Sequence, residues 1–176
     1  MQEELKNTIR IIQDFPTPGV SFKDITPIFA SPDLCNRVVE EMINQLDGRK
    51  VDAVVGVESR GFFFGFLLAL RLNVPFYPIR KKGKLPYKTY SESYELEYGK
   101  AAIEIHQDTI EKGMQVLVHD DLLATGGTMQ ATAKLIQAMG RELVGFSFIV
   151  ALDQLKGIDK LLPYSSNIHS LVHYPI

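Results

Sequence analysis

The hydrophobic positions change period along the chain, and each change marks an element. Leu34, Val38, Met42 and Leu46 recur every fourth residue, one buried stripe of a helix. Ser31 stands at its N-cap position, Pro32 at its first helical position and Asp33 in its first turn. "VDAVVGV" (Val51–Val57) is a short β-branched apolar run and predicts a buried strand. Gly61–Leu72 predicts a buried helix and "VPFYPI" a second strand. Strand, helix and strand in that order imply parallel pairing. The pattern returns in "QVLVHD", in a helix over Gly126–Met139 with Met129, Ala133, Ile136 and Met139 on its core face, and in the strand "ELVGFSFIVAL". The tail from Asp153 predicts a short helix and a final strand. Alternating β and α elements give an α/β fold, an open, mostly parallel sheet flanked by helices.

Two stretches depart from this rhythm. Glu3–Ile12 predicts a short amphipathic helix, and the prolines of "DFPTPGVSFKDITPIF" then forbid a regular one. "RKKGKLPYKTYSESYELEYGK" is charged and tyrosine-rich. Within it Tyr94–Tyr98 alternates with period two, as does Ala101–Ile105. Gly99-Lys100 between them predicts a two-residue turn, and hence a mobile β-flap beside the main sheet.

The chain of 176 residues suits one domain. A net charge of −2 gives no general attraction to nucleic acid or to an anionic membrane, so any anion site must be local. Cys35 is the single cysteine, which excludes an internal disulfide and fits a reducing, cytoplasmic compartment. It lies beside an apolar helix stripe with no histidine near in sequence, so a nucleophile is not expected there. The apolar run Phe62–Leu70 is roughly half the length needed to span a bilayer. His169 and His173 have helical metal spacing but no third ligand near them, and read as ordinary tail residues.

Chemistry concentrates in "VLVHDDLLATGGTM" (Val116–Met129). Ligands of such folds bind beyond the carboxyl ends of the strands. Asp120 and Asp121 fall at one such end, and Ala124–Thr128 leads into a helix whose first N–H groups lack helical partners. Gly126 and Gly127 let that backbone curl closely, and Thr125 and Thr128 add hydroxyls. Several hydrogen bonds to a charged group, about 1.5–3 kcal/mol each, outweigh a helix dipole worth about 0.3–1 kcal/mol. The loop suits a phosphate monoester. It is not a P-loop, and the dinucleotide Gly-x-Gly-x-x-Gly is absent. Neighbouring acids on a strand point to opposite faces, so they do not suit a proton-sharing dyad. They suit sugar hydroxyls, or Mg²⁺ carried with the ligand.

These residues resemble the phosphoribosyl pyrophosphate motif of the type I phosphoribosyltransferases, and "DDLLATGGTM" resembles the adenine-using branch. "FPTPGVSFKDITPI" is similar to that branch's N-terminal signature, "ESRGFFFG" to its pyrophosphate loop, and "RKKGKLP" with "YELEYGKAAIEIH" to its flap. His119, where an aliphatic residue is usual, and Lys23, where arginine is common, are the departures.

The resemblance implies one phosphoribosyltransferase domain over 1–176, with an N-terminal hood at about 1–30 and a flexible flap at about 81–106. It implies purine salvage, in which adenine and phosphoribosyl pyrophosphate give AMP and pyrophosphate with Mg²⁺, in a cytoplasmic homodimer that engages neither nucleic acid nor membrane. Ala124, Thr125, Gly126, Gly127 and Thr128 would hold the 5′-phosphate. Asp120 and Asp121 would bind ribose hydroxyls and steady positive charge on the sugar, with Mg²⁺ reached at most through water. Glu58, Ser59, Arg60, Gly61, Arg80, Lys81 and Lys84 would serve the pyrophosphate, the Glu58–Ser59 peptide being cis and Arg80 entering from a neighbouring subunit. Val20, Ser21, Lys23, Ile25 and Leu123 would surround adenine. Glu97 would exchange a proton with the base, although alternation alone makes it an exposed strand residue. Tyr98 reads equally as a flap latch or a surface aromatic. A 6-oxopurine substrate and a non-catalytic regulator that senses phosphoribosyl pyrophosphate stay open as alternatives.

Overall fold

A computed structural model describes residues 1–96 and 99–175. The sequence patterns become five helices and nine strands among them. The N-terminal helix α1 spans Gln2–Thr8 and ends early, because Arg10–Gln13 is a strand, β1, paired antiparallel with β2 (Ser21–Asp24). The helix expected over Glu3–Ile12 is thus corrected. Its last residues find backbone partners across the chain, and such long-range pairing overrides a local amphipathic pattern. A 3-10 turn covers Thr26–Ala30. Helix α2 is Pro32–Asn44, with the Ser31 hydroxyl accepting from the Leu34 N–H at 3.2 Å, as the cap pattern predicts.

The main sheet contains β3 (Ala53–Val57), β4 (Phe76–Lys81), β5 (Thr89–Leu96), β6 (Gly99–His106), β7 (Gln115–Leu123), β8 (Glu142–Leu152) and β9 (Ile168–Tyr174). Its order is β5-β6-β4-β3-β7-β8-β9, with β4, β3, β7, β8 and β9 parallel. Helices α3 (Gly61–Leu72), α4 (Gly127–Ala138) and α5 (Gly157–Leu161) complete the set. The pleat sends alternate strand residues to opposite layers. Val54 and Leu117 join the core under α1, α2 and α3, whereas Val55 and Val118 join the core under α4 and α5.

The hairpin β5–β6 does not stand beside the sheet. β6 pairs with β4 at Arg80↔Glu104 and Lys81↔Ile103, which makes the hairpin the sheet's edge. Gly99 and Lys100 are not its turn either. They are the first residues of β6, opposite Leu96 and Glu95. Gly99 has φ +103°, a backbone conformation that its missing Cβ allows inside a strand end as readily as in a turn.

Candidate active site

The sheet reverses its winding between β3 and β7. From β3 the chain passes through α3 to β4 on one side, and from β7 through α4 to β8 on the other. Such a switch point opens a crevice beyond the strand ends. Two turns meet there, because β3 and β7 are paired in parallel up to Gly56↔His119. One is Glu58–Arg60, which leads into α3 and whose Glu58–Ser59 peptide is cis. The other is Ala124–Gly126, which leads into α4. Gly61 lets the head of α3 abut β7, since a Cβ there would lie 2.7 Å from Asp120 Oδ1.

The loop before α4 has the curl that its glycines suggested. Gly126 adopts φ +76°, and a Cβ on it would meet the Gly157 carbonyl oxygen at 2.6 Å. Gly157 is equally constrained, since its own Cβ would strike the Ala124 carbonyl oxygen. The start of α5 therefore buttresses the loop from behind, a role that sequence reading missed. Its only signal was a second glycine far down the chain. Leu122–Met129 and Asp120 line a recess of about 90 Å³ at this helix head. Unpaired N–H groups there favour an anion.

Strand β7 runs on to Leu123, so the acids lie within it rather than after it. Asp121 is buried and forms an ion pair with Arg60 Nε at 2.9 Å. The same guanidinium donates to the Lys23 carbonyl at 3.3 Å and packs 4.7 Å from the Phe22 ring. Burial raises the Asp121 carboxyl and Arg60 partly restrains it. Asp120 Oδ1 accepts the Asp121 N–H at 2.9 Å. Burial, then the charge of Asp121, raises the Asp120 carboxyl well above its ordinary range. Asp120 also lines a second recess of about 100 Å³ with Glu58, Arg80, Lys81, Tyr94 and Thr128. Asp120 and Thr128 line both recesses and so stand between them.

The far wall of that second recess carries the cations. Glu58 Oε2 accepts from the Lys81 N–H at 3.0 Å and from Arg80 Nε at 3.3 Å, while Oε1 pairs with Lys84 Nζ. Burial would raise the Glu58 carboxyl, but these donors outweigh it and hold it at about 2. Glu58 thus gathers Arg80, Lys84 and the Lys81 N–H around one carboxylate. Arg80 also donates to the Lys84 carbonyl at 3.1 Å. Glu104, buried on β6, fixes the turn beneath: one of its oxygens accepts the N–H groups of Gly83, Lys84 and Leu85 at 3.0–3.1 Å. Sequence reading missed Glu104, because a single acid in an alternating strand carries no local mark.

The adenine candidates are placed less uniformly. Ile25 and Leu123 are buried in different cores, and Val20 is exposed. Lys23 is buried, with Nζ donating to Ser21 Oγ at 2.8 Å and lying 4.9 Å from the Tyr174 ring centre. Its backbone is what faces Arg60 and hence the crevice. Glu97 and Tyr98 lie outside the described residues. His119 is wholly buried beside the acids, with neither ring nitrogen hydrogen-bonded among the described residues. Cys35 donates to the Ile28 carbonyl, and burial raises its thiol. His169 and His173 lie on a strand; His169 pairs with Asn167 and His173 with Asp153. Among the described residues, no three acidic, histidine or cysteine side chains converge as a metal cage.

Comparison with known proteins gives a consistent answer. Residues 21–169 match the family model of the phosphoribosyl transferase domain. The chain is 50% identical over 174 residues to the adenine phosphoribosyltransferase of Cytophaga hutchinsonii, covering 99% of this chain and 96% of that one. It superimposes on the crystal structure of adenine phosphoribosyltransferase from Thermoanaerobacter pseudethanolicus with a TM-score of 0.94 at 46% identity, covering 99% and 100% of the two chains. The Saccharomyces cerevisiae enzyme, crystallised with adenine and an imino-altritol bisphosphate, superimposes with a TM-score of 0.90 at 37% identity, covering 97% of each chain.

Proposed function

The chain belongs to the adenine phosphoribosyltransferases, purine-salvage transferases that make AMP from adenine and phosphoribosyl pyrophosphate, and from that premise we propose how its residues divide the work. The amides of Ala124–Thr128, with the hydroxyls of Thr125 and Thr128, hold the 5′-phosphate. Asp120 holds the ribose hydroxyls and opposes positive charge as the anomeric carbon loses its leaving group. Displacement at such a carbon has oxocarbenium character, so fixed negative charge there favours the transition state over the ground state. Asp121 acts with Arg60, which spans from the acid to the Lys23 carbonyl and joins the hood to the sugar site. Arg80, which lines the recess from its own chain where the resemblance implied a neighbouring subunit, neutralises the leaving pyrophosphate together with Lys81 and Lys84, and Glu58 is their organiser. Backbone groups of Val20–Lys23 read the base, and Glu97 exchanges its proton.

The observation that carries this reading is the position of Asp120. It lies between an amide loop fit for a phosphate monoester and a cation cluster fit for a diphosphate. Phosphoribosyl pyrophosphate has those two anions on either side of its diol.

Mg²⁺ suits the same place. Asp121 is already engaged by Arg60, which leaves Asp120 as the protein oxygen ligand on offer, and Mg²⁺ retains waters and substrate oxygens readily. It would neutralise the pyrophosphate oxygens. A homodimer is supported by α3, whose Phe63, Phe66, Leu67 and Leu70 are exposed at spacings of three and four residues. No helix among the described residues is long and apolar enough to cross a membrane, and a lone cysteine suits a cytoplasmic enzyme.

The deciding assay supplies phosphoribosyl pyrophosphate and Mg²⁺ with adenine, hypoxanthine or guanine in turn. AMP from adenine alone is expected. Equal turnover of hypoxanthine would overturn the choice of base. Sedimentation of the same sample tests the dimer.

A further inference from the structure

Tyr94 lies on β5, far in sequence from the phosphate loop, yet the fold brings it there. Its Cδ2 is 3.8 Å from the point where a Cβ on Gly127 would stand, so the ring covers the head of α4. Thr128 Oγ1 donates to Tyr94 Oη at 3.3 Å. Among the described residues this is the one side-chain hydrogen bond between the β5–β6 hairpin and α4. Tyr94 also lines the second recess, with Glu58 and Asp120.

A threonine hydroxyl has one proton and two acceptor positions. When Thr128 gives its proton to a phosphate oxygen, it can accept the Tyr94 O–H in the same geometry. The pair then reverses direction without a rearrangement of either side chain. Tyr94 holds the Thr128 proton on the phosphate, and Thr128 holds the hairpin down. At 3.3 Å the contact is longer than the ~2.7–2.8 Å usual between hydroxyls, which leaves room for it to tighten.

We propose that Tyr94 is a positioning residue, coupling 5′-phosphate binding to the packing of strand β5 against the head of α4 through the Thr128 hydroxyl. The inference rests on the phosphoribosyl pyrophosphate reading given above. The bond itself is local, but its consequence reaches across the site. The hairpin is continuous with β4 through Arg80↔Glu104, so seating it also sets the wall that carries the cations.

The test uses the full chain and the variants Tyr94→Phe, Thr128→Val, Thr128→Ser and the Tyr94→Phe/Thr128→Val pair, each confirmed as folded by thermal unfolding. Two quantities are read: the ribose 5-phosphate Kd by calorimetry, and kcat and KM for phosphoribosyl pyrophosphate. Tyr94→Phe should weaken ribose 5-phosphate binding by about 3- to 10-fold, the scale of one lost hydrogen bond. It should raise KM by a similar factor and leave kcat within about twofold. Thr128→Ser should bind as the parent does, and Tyr94→Phe should add nothing in the Thr128→Val background. An unchanged Kd in Tyr94→Phe, or losses that multiply in the pair, would overturn the proposal. Because the Kd needs no turnover, the two readings fail separately. A parent that binds ribose 5-phosphate but makes no AMP refutes the substrate, whereas a parent that makes AMP beside an unaffected Tyr94→Phe refutes only the coupling.

Discussion

Arg60 Nε lies 2.9 Å from Asp121 Oδ2, and the same guanidinium reaches the Lys23 carbonyl. One side chain thereby ties the turn after β3 to the interior of β7 and to strand β2. The planar guanidinium reaches both acceptors from separate nitrogens, Nε towards the acid and Nη1 towards the carbonyl. Removing it would strand a buried carboxylate. Breaking a buried pair from one side costs about 3–5 kcal/mol, and Arg60 belongs at the low end because 29% of its side chain is exposed. Arg60→Ala should therefore unfold at markedly lower urea concentration. Adding Asp121→Asn should recover much of that loss without recovering AMP formation. A double variant no more stable than Arg60→Ala would show that the pair is not what holds the three elements together.

Asp120 should reveal a conflict between stability and activity. Its carboxyl is raised by burial and by Asp121, from an ordinary value of 3.8. The unfolded chain thus releases this proton more readily than the fold does. Stability from this group falls as pH rises from 3.8 through the raised folded value. Asp120→Asn removes that penalty and keeps an oxygen for the Asp121 N–H. Its melting temperature should exceed the parent's at pH 7.5, and the difference should vanish towards pH 3. Turnover should drop by about 100-fold or more, the scale of losing one preorganised electrostatic group. A variant that melts lower at pH 7.5 would contradict this.

In the proposed division of work Glu58 competes with pyrophosphate for Arg80 and Lys84. Glu58→Gln removes the competing charge but keeps the size of the side chain. Calorimetry with Mg²⁺ and pyrophosphate should then show binding tightened by about tenfold, a modest share of a unit-charge interaction near a protein surface. Weaker binding would mean that the carboxylate's ordering of the cations matters more than its competition. The ion pairs themselves are stabilising above pH 4.5, and that contribution fades as pH falls towards about 2.

His119 should set an acid limit on the fold. Burial lowers its pKa from 6.5 to about 3. The unfolded chain gains this proton first, so stability falls as pH drops from 6.5 towards 3. At pH 5 the loss from this group is about 2 kcal/mol. His119→Leu, apolar and of similar bulk, should lose less stability between pH 7 and pH 5 than the parent by that amount. Parallel pH profiles for the two would rule the histidine out as the cause.

Much of this could be read before the fold was known. The Ser31-Pro32 cap, the helical stripe from Leu34 to Met42, though not Leu46 beyond the helix end, the apolar strands and the curl of Ala124–Thr128 are set within a few residues of one another. Steric allowance and side-chain period decide them locally. The same holds for the two acids beside that loop, since their chemistry is written in adjacent positions.

Other features depend on distance in space. Arg10–Gln13 became a strand because Ser21–Asp24 was there to pair with it. The hairpin's register put Gly99 and Lys100 inside β6, and only the partner residues on β5 could determine that. Glu104 beneath the basic turn, Gly157 behind the phosphate loop and Tyr94 over Gly127 have partners between 19 and 34 residues away. Arg60 and Asp121 are farther apart still. The sequence by itself determined the elements, their order and the chemical groups placed at two strand ends. The tertiary structure decided which of those groups meet, because a contact across a sheet leaves no periodic trace in either segment and depends on how the layers pack.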